Sequence, residues 1–121
     1  MSEKSIVLYT YSKCSMCRDA SRWLVAHGIN LEERPIYERP PTAAELRRML
    51  AFLDGHLRRL FNTSGIQYRA MGLAAKLPGL SEPEALALLA GDGRLVKRPF
   101  LLADSFGLVG FDEDAWSERL T

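Results

Sequence analysis

Cys14 and Cys17 are the residues of this chain whose type and spacing best fit a chemical reaction. A thiolate attacks a disulfide sulfur, and a second nearby thiol can then close an intramolecular disulfide and release the bound group. The first cysteine of such a CxxC motif ionises readily at a helix N-terminus, because unpaired N–H groups and the helix dipole favour the anion. We therefore predict that Cys14 is the nucleophile and Cys17 the resolving thiol.

Two other interpretations of the cysteines stay open. A tetrahedral zinc site needs four ligands, and the only histidines that could complete it are His27 and His56. We therefore expect no metal and no bound cofactor. Free cysteines also pack as small apolar side chains, so a redox-inert scaffold is the second alternative.

A strand followed by a helix must hold this motif. Residues 6–11 are β-branched, aromatic and apolar, which predicts a buried strand. Residues 15–27 carry apolar side chains at helical spacing, and Gly28 stands where a helix C-cap would fall. The two cysteines therefore lie at a strand-to-helix junction.

Capping residues mark three further helix starts, at Thr42, Ser81 and Asp112. The remaining predicted elements are a strand, four helical stretches, a strand hairpin and a closing helix: residues 31–37, 43–53, 57–61, 67–72, 82–91, 98–102, 108–111 and 113–120. This order predicts an α/β fold with a thioredoxin-like (glutaredoxin-like) core and an inserted helical subdomain. We expect one domain, residues 1–121, with its core at about 5–38 and 97–121 and the insert at about 42–91.

Pro99 follows Arg98 at the start of a late predicted strand. Thioredoxin-like folds place a cis-proline there, beside the active cysteines, where it leaves backbone free to meet a substrate. Arg98 can present a guanidinium fork to a thiolate or an oxyanion. Its alternative is a solvated surface arginine.

The charge balance argues against two classes of partner. The chain has 16 Lys plus Arg and 15 Asp plus Glu, so its net charge is +1. This balance favours neither direct DNA binding nor a membrane surface. The N-terminal residues lack the apolar stretch of a signal peptide, so we expect a cytoplasmic protein.

Four segments resemble the arsenate reductase and Spx family: residues 9–18 (YTYSKCSMCR), 39–42 (RPPT), 60–65 (LFNTSG) and 97–99 (KRP). The resemblance implies a thioredoxin-like core interrupted by a helical insert. In glutathione-coupled members a single cysteine attacks arsenate and three arginines hold the oxyanion. Cys14 and Arg98 match that pattern, whereas the other two arginine positions fall at Asn62 and near Gly110-Phe111.

The resemblance implies a thiol reductase whose substrate site also includes Lys13, Arg18, Pro99 and Asn62. Lys13 and Arg18 are expected to lower the pKa of Cys14 as well. Glutathione is the expected reductant, with a glutaredoxin or thioredoxin system as an alternative partner.

The same likeness implies a second function. Spx proteins are redox-sensing regulators that bind the C-terminal domain of the RNA polymerase α-subunit. Arg47-Arg48 and Arg58-Arg59 form basic faces that are either solvated or able to dock an acidic patch of such a partner.

Overall fold

A computed structural model describes residues 6–121, which form four strands and six α-helices. The strands and α-helices are β1 Val7–Thr10, α1 Ser15–Ala26, β2 Glu32–Pro35, α2 Ala43–Phe52, α3 Ile66–Ala70, α4 Leu73–Lys76, α5 Glu82–Gly91, β3 Phe100–Leu102, β4 Gly107–Val109 and α6 Glu113–Leu120. Short 3₁₀ segments cover Leu57–Leu60, Leu77–Gly79 and Gly93–Leu95. None of the helices within this part of the chain is both long and apolar enough to cross a membrane.

The strands form one mixed sheet in the order β2-β1-β3-β4. β1 runs parallel to β2, and β3 is antiparallel to both β1 and β4. A parallel pair needs a crossover, which α1 supplies between β1 and β2. This mixed α/β architecture is the one that the sequence predicts, with β1 and the cysteine loop near the middle of the sheet.

Side chains of the central strands alternate between two buried layers. Leu8 and its cross-strand partner Leu101 pack in the cluster that contains Leu24 of α1 and Trp116 of α6. The opposite face belongs to a larger cluster that includes the helices between β2 and β3, and Tyr9 meets Phe100 there edge to face at 5.7 Å. The sheet therefore separates an α1/α6 layer from the layer of inserted helices.

Local capping chemistry sets the helix starts that the sequence predicts. Thr42 and Ser81 each form a capping box, in which the hydroxyl accepts from the N3 amide and the N3 glutamate accepts from the cap amide. The Asp112 carboxylate accepts from the amides of Asp114 and Ala115. These three predictions are confirmed.

The boundaries of several predicted elements differ from the observed ones. All four strands are shorter than predicted, and α4 lies where no helix is predicted. The stretch at 57–61 is a 3₁₀ segment that ends at Leu60, because Phe61 leaves it to pair with Val96 in an antiparallel bridge. Backbone bonds from Lys97 N to Leu60 O (2.8 Å) and from Asn62 N to Leu95 O flank this bridge.

A polar cluster joins the sheet to the inserted layer. The Tyr9 hydroxyl donates to Glu45 Oε1 at 2.8 Å, and Arg34 Nη1 donates to the same hydroxyl at 2.8 Å. Glu45 is also the N3 residue of the α2 capping box. Burial opposes its ionisation, yet the bonds from Thr42 and Tyr9 and the charge of Arg34 hold the pKa of Glu45 below its usual value. One carboxylate therefore both starts α2 and attaches it to β1 and β2.

Candidate active site

Cys14 is the N-cap residue of α1. Its backbone is extended (φ −101°, ψ 114°), and its Sγ accepts from the Cys17 amide at 3.3 Å. The Cys14 amide donates to the Tyr11 carbonyl at 3.1 Å, which closes the turn between β1 and α1. The sulfur thus takes the capping position that a Ser or Asp oxygen usually occupies, where the helix N-terminus favours an anion.

The pKa values of the two thiols are shifted in opposite directions. Burial acts against ionisation of Cys14, but hydrogen bonds from the Cys17 thiol and amide and the charge of Arg98 hold its pKa below the usual value. Burial first, and then the hydrogen bond with Cys14, raises the pKa of Cys17 to about 12. Cys17 is buried, whereas Cys14 is partly exposed. The accessible thiol is therefore the one that ionises, and the structure holds the pair in its reduced form.

Arg98 lies against two stacked tyrosines. The Arg98–Pro99 peptide bond is cis, as predicted. The guanidinium carbon is 5.2 Å from the Tyr11 ring centre and 5.5 Å from that of Tyr37, and the two rings stack with centroids 4.1 Å apart. Arg98 Nη1 is buried and has no hydrogen-bond partner within residues 6–121. A buried donor without a partner is costly, which makes this atom a candidate contact for a substrate anion.

Lys13 and Arg18 lie in the loop before Cys14 and in the first turn of α1. Lys13 is exposed. Arg18 Nη1 donates to the Ser12 carbonyl at 2.9 Å, so this guanidinium holds the loop that precedes Cys14. The groups that act most strongly to lower the pKa of Cys14 are Cys17 and Arg98, and neither Lys13 nor Arg18 is among them.

Pro99 and Asn62 are both fixed by backbone hydrogen bonds. Pro99 is buried, and its carbonyl accepts from the Gly110 amide at 2.9 Å. Asn62 is half-buried, and its backbone N–H donates to the Leu95 carbonyl at 2.7 Å. Its carbonyl accepts from the Gly65 amide. Asn62 therefore belongs to the backbone pairing that leads into residues 97–99.

A small cavity of about 250 Å³ opens beside Cys17. Its walls come from the end of β1, from α1 and from β2: Thr10, Tyr11, Ser12, Cys17, Arg18, Ser21, Arg22 and Glu33. Sequence reasoning missed Glu33, as it missed the two tyrosines that hold Arg98. The available signal was the polar residue Thr10 at the end of an apolar strand, since a buried hydroxyl needs a partner.

A wider cleft of about 650 Å³ lies elsewhere and contains neither cysteine. Basic and apolar side chains line it together: His56, Leu57, Arg58, Arg59, Phe61, Thr63, Lys97 and Val109. We place the reactive centre at the cysteines, because the chemistry depends on the activated thiol. Within residues 6–121, no group of three or more His, Cys, Asp or Glu side chains is arranged to hold a metal ion.

Fold and site together define a thioredoxin-like protein with a two-cysteine site at a strand-to-helix junction. The model described as the ArsC family matches residues 9–119. The chain therefore belongs to the ArsC family and has a thiol oxidoreductase fold. This is the family that its sequence resembles.

Proteins named for the ArsC family and proteins named as Spx regulators are both similar to this one over most of the chain. An uncharacterised protein of Bacillus subtilis, YusI, is 43% identical over 115 residues, which cover 95% of this chain and 98% of the relative. An ArsC-family related protein from Bacteroides fragilis has a solved structure with a TM-score of 0.89 and 36% identity, covering 96% of this chain and 98% of that one. The global transcriptional regulator Spx of Enterococcus faecalis is 28% identical over 90% of this chain and 81% of its own length.

Proposed function

We propose that this protein is a thiol-disulfide oxidoreductase that uses Cys14 as nucleophile and Cys17 as resolving thiol. The observation that carries the proposal is a partly exposed thiol, Cys14, that caps a helix N-terminus and accepts from the amide of the buried Cys17. The pKa of Cys14 is lowered there and that of Cys17 is raised. An exposed thiol of lowered pKa starts exchange readily, whereas a buried thiol of raised pKa reacts only with a neighbour.

The reaction has two steps with balanced electrons. The Cys14 thiolate attacks one sulfur of a substrate disulfide, forms a mixed disulfide and releases the first substrate thiolate. Cys17 then loses its proton and attacks Cys14 Sγ, which forms the Cys14–Cys17 disulfide and releases the second substrate thiolate. The protein is oxidised by two electrons and the substrate disulfide is reduced by two.

A reductant must return the protein to its dithiol form. Glutathione, or a glutaredoxin or thioredoxin that supplies two thiols, would attack the Cys14–Cys17 disulfide by the same exchange in reverse. Arg98 and the exposed Lys13 would attract the carboxylates of glutathione to the mouth of the site.

Disulfides fit this site better than arsenate does. Arg98 supplies one buried guanidinium donor. Asn62 and Gly110-Phe111 stand where the family resemblance places the other two oxyanion-binding arginines, and one charge-assisted donor in place of three holds a polyanion weakly. We therefore propose that the sulfur of a disulfide or a glutathione mixed disulfide is the atom that Cys14 attacks.

Trapping the mixed disulfide tests the proposal. The reduced protein is mixed with oxidised glutathione, the reaction is quenched with acid, and the intact mass of the protein is measured by mass spectrometry. The wild type should accumulate the internal disulfide, Cys17→Ser should accumulate glutathione on Cys14, and Cys14→Ser should stay unmodified. Modification of Cys14→Ser as fast as the wild type would remove Cys14 from the reaction.

A second candidate function is a redox-sensing regulator that binds the C-terminal domain of the RNA polymerase α-subunit. The likeness to a protein named global transcriptional regulator over 90% of the chain favours it. A pull-down with that domain, using oxidised and reduced protein in parallel, tests this candidate. Binding that depends on the Cys14–Cys17 state would support it, and no binding in either state would eliminate it.

A further inference from the structure

The buried thiol of Cys17 poses a chemical problem for the proposed function. Its pKa is raised to about 12, first by burial, so the thiolate is scarce at neutral pH. The second step needs that thiolate. A resolving thiol in such a place reacts fast only if a neighbouring group takes its proton as the new S–S bond forms.

Glu33 is the carboxylate that shares the cavity with Cys17. In the parallel pairing of β1 with β2, Leu8 lies opposite Glu33 and Thr10 opposite Pro35. These side chains therefore stand on one face of the sheet, because alternate residues of a strand share a face. Leu8 packs in the cluster with Ala20 and Leu24 of α1, so this is the face that α1 covers.

The Thr10 hydroxyl holds the Glu33 carboxylate beside α1, and the Ser21 hydroxyl lies near it. Thr10 Oγ1 donates to Glu33 Oε2 at 2.7 Å, and Thr10 is itself buried. Ser21 Oγ lies 3.5 Å from each carboxylate oxygen. Ser21 follows Cys17 by one helical turn, and side chains at that spacing are neighbours on a helix surface. The carboxylate therefore lies beside the turn of α1 that follows Cys17 and lines the same cavity.

The space between the two groups admits water. The cavity of about 250 Å³ is large enough for several molecules, and its hydroxyl, guanidinium and carboxylate groups supply the polar partners that ordered water requires. Glu33 is exposed at its outer side, so a proton that reaches it can pass to bulk solvent.

We propose that Glu33 is the base that accepts the Cys17 proton, through water in this cavity, during the resolving step. The inference rests on the proposed thiol-disulfide function and assigns its second step. As Cys17 Sγ attacks Cys14 Sγ, the Cys17 proton moves by way of water to the Glu33 carboxylate and the substrate sulfur leaves as a thiolate. The other charged or titratable groups that line this space are Arg18 and Arg22 of α1 and Tyr11, which follows β1. Cys14 and Arg98 also act on the Cys17 thiol.

A purely electrostatic role for Glu33 has the opposite sign. A negative charge near a thiol raises the thiol pKa, so its removal alone would favour the Cys17 thiolate and speed the second step. Removal of a base slows that step. Glu33→Gln keeps the shape of the side chain and therefore distinguishes the two roles by direction.

The test uses the reduced full-length protein with dithiobis(nitrobenzoate), an aromatic disulfide whose thiolate product absorbs visible light. Attack by Cys14 releases the first nitrothiobenzoate, and attack by Cys17 on the mixed disulfide releases the second. Stopped-flow absorbance therefore times both steps in one experiment.

In Glu33→Gln we expect the first phase to stay within about twofold of wild type. The second should slow by about 100-fold near neutral pH, the lower end of what a positioned base contributes, and recover as hydroxide replaces the base at high pH. Glu33→Asp keeps a carboxylate, and the rate of its second phase should fall by about tenfold.

The matched control is Glu32→Gln, which removes the same charge from the neighbouring residue of β2. Glu32 pairs with Arg34 on the other face of the sheet. Both its phases should match wild type.

Two failures are distinguishable. A normal first phase with an unchanged or faster second phase in Glu33→Gln overturns the role of Glu33 and leaves the proposed function standing. No Cys14-dependent first phase in the wild-type protein overturns the proposed function, and the role of Glu33 with it.

Discussion

Arg98 lies against Tyr11, with the guanidinium carbon 5.2 Å from the centre of the ring. Tyr37 stacks against Tyr11, and its ring lies 5.5 Å from the same carbon. Aromatic faces attract a guanidinium by about 0.5–2 kcal/mol and bring no counter-charge. No carboxylate within residues 6–121 forms a salt bridge with Arg98. The tyrosines therefore position this charge and leave it available to the site.

Substitution of Arg98 should weaken the nucleophile. Burial disfavours the Cys14 thiolate, and the Cys17 hydrogen bonds and the Arg98 charge overcome that effect. Arg98→Met keeps an apolar stem and removes the charge, so the pKa of Cys14 should rise. Alkylation by iodoacetamide at neutral pH should slow roughly 2- to 10-fold, because the thiolate fraction falls more than its nucleophilicity rises. Arg47→Met, an exposed arginine of α2, is the control, and equal rates in all three proteins would contradict the prediction.

Because the pKa of Cys17 is raised, the free energy of unfolding of the reduced protein should decrease as the pH rises in the alkaline range. Burial raises that pKa to about 12 in the folded state, against about 8.5 for a free thiol. Below the lower pKa, Cys17 keeps its proton in both the folded and the unfolded chain, and the full stability is present. Between the two values only the unfolded chain loses it, so stability falls as pH rises, by up to about 1.4 kcal/mol per pH unit.

Cys17→Ala removes this linkage. Urea denaturation at a series of alkaline pH values should give a shallower loss of stability in the variant than in the wild type, since the other titrating groups are common to both. Cys14 adds no competing slope in this window, because its folded pKa is lowered and both states are already ionised there. Parallel pH dependences would show that Cys17 ionises equally in both states.

Glu45 should matter more for stability than its counterpart in the second capping box. Glu45→Gln weakens the cap of α2 and also the bonds from Tyr9 and Arg34, so we expect a loss of about 1–3 kcal/mol in urea denaturation. Glu84→Gln disturbs only the exposed cap at Ser81 and should cost less. If the two variants lose equal stability, the link between sheet and insert contributes nothing.

Gly93 has no room for a side chain. A Cβ there would lie 1.9 Å from the Ile36 carbonyl oxygen and 3.3 Å from the Tyr37 Cα. Gly93→Ala must therefore displace the backbone that carries Tyr37, and should cost about 1–3 kcal/mol and also slow alkylation of Cys14, as the support of Arg98 shifts. Gly91→Ala is the control, because a Cβ at that position meets nothing within 4 Å. Unchanged stability in Gly93→Ala would contradict the close approach.

The elements that local chemistry determines were predictable from the sequence. Thr42 and Ser81 have side chains that cap their own helices, so their signal lies within a few residues. The apolar run of β1 also follows from nearby residues, whereas the cis bond before Pro99 is expected from the thioredoxin-like fold. α4 has only four residues, too few to show a helical period, and it escaped prediction for that reason.

Relationships across the fold were not predictable in the same way. Tyr11, Tyr37 and Arg98 come from three separate segments, and nothing in the local pattern of any one of them indicates the other two. The same holds for Glu33, whose neighbours Thr10 and Ser21 belong to a different strand and a helix. Arg98, distant from the cysteines in sequence, supplies the charge that lowers the pKa of Cys14, and its place at the start of a late strand before Pro99 was the signal for it.

The late position of Arg98 in the chain bears on how the protein is made. Ribosomes release a chain from its N-terminus at about 5–20 residues per second, so Cys14 and Cys17 emerge seconds before Arg98 is synthesised. β3 must then insert beside β1 before the guanidinium reaches the cysteine loop. During those seconds the nascent chain carries cysteines that lack the Arg98 charge. The contribution of Arg98 to the lowered pKa of Cys14 is therefore acquired only after translation has passed Arg98 and β3 has docked.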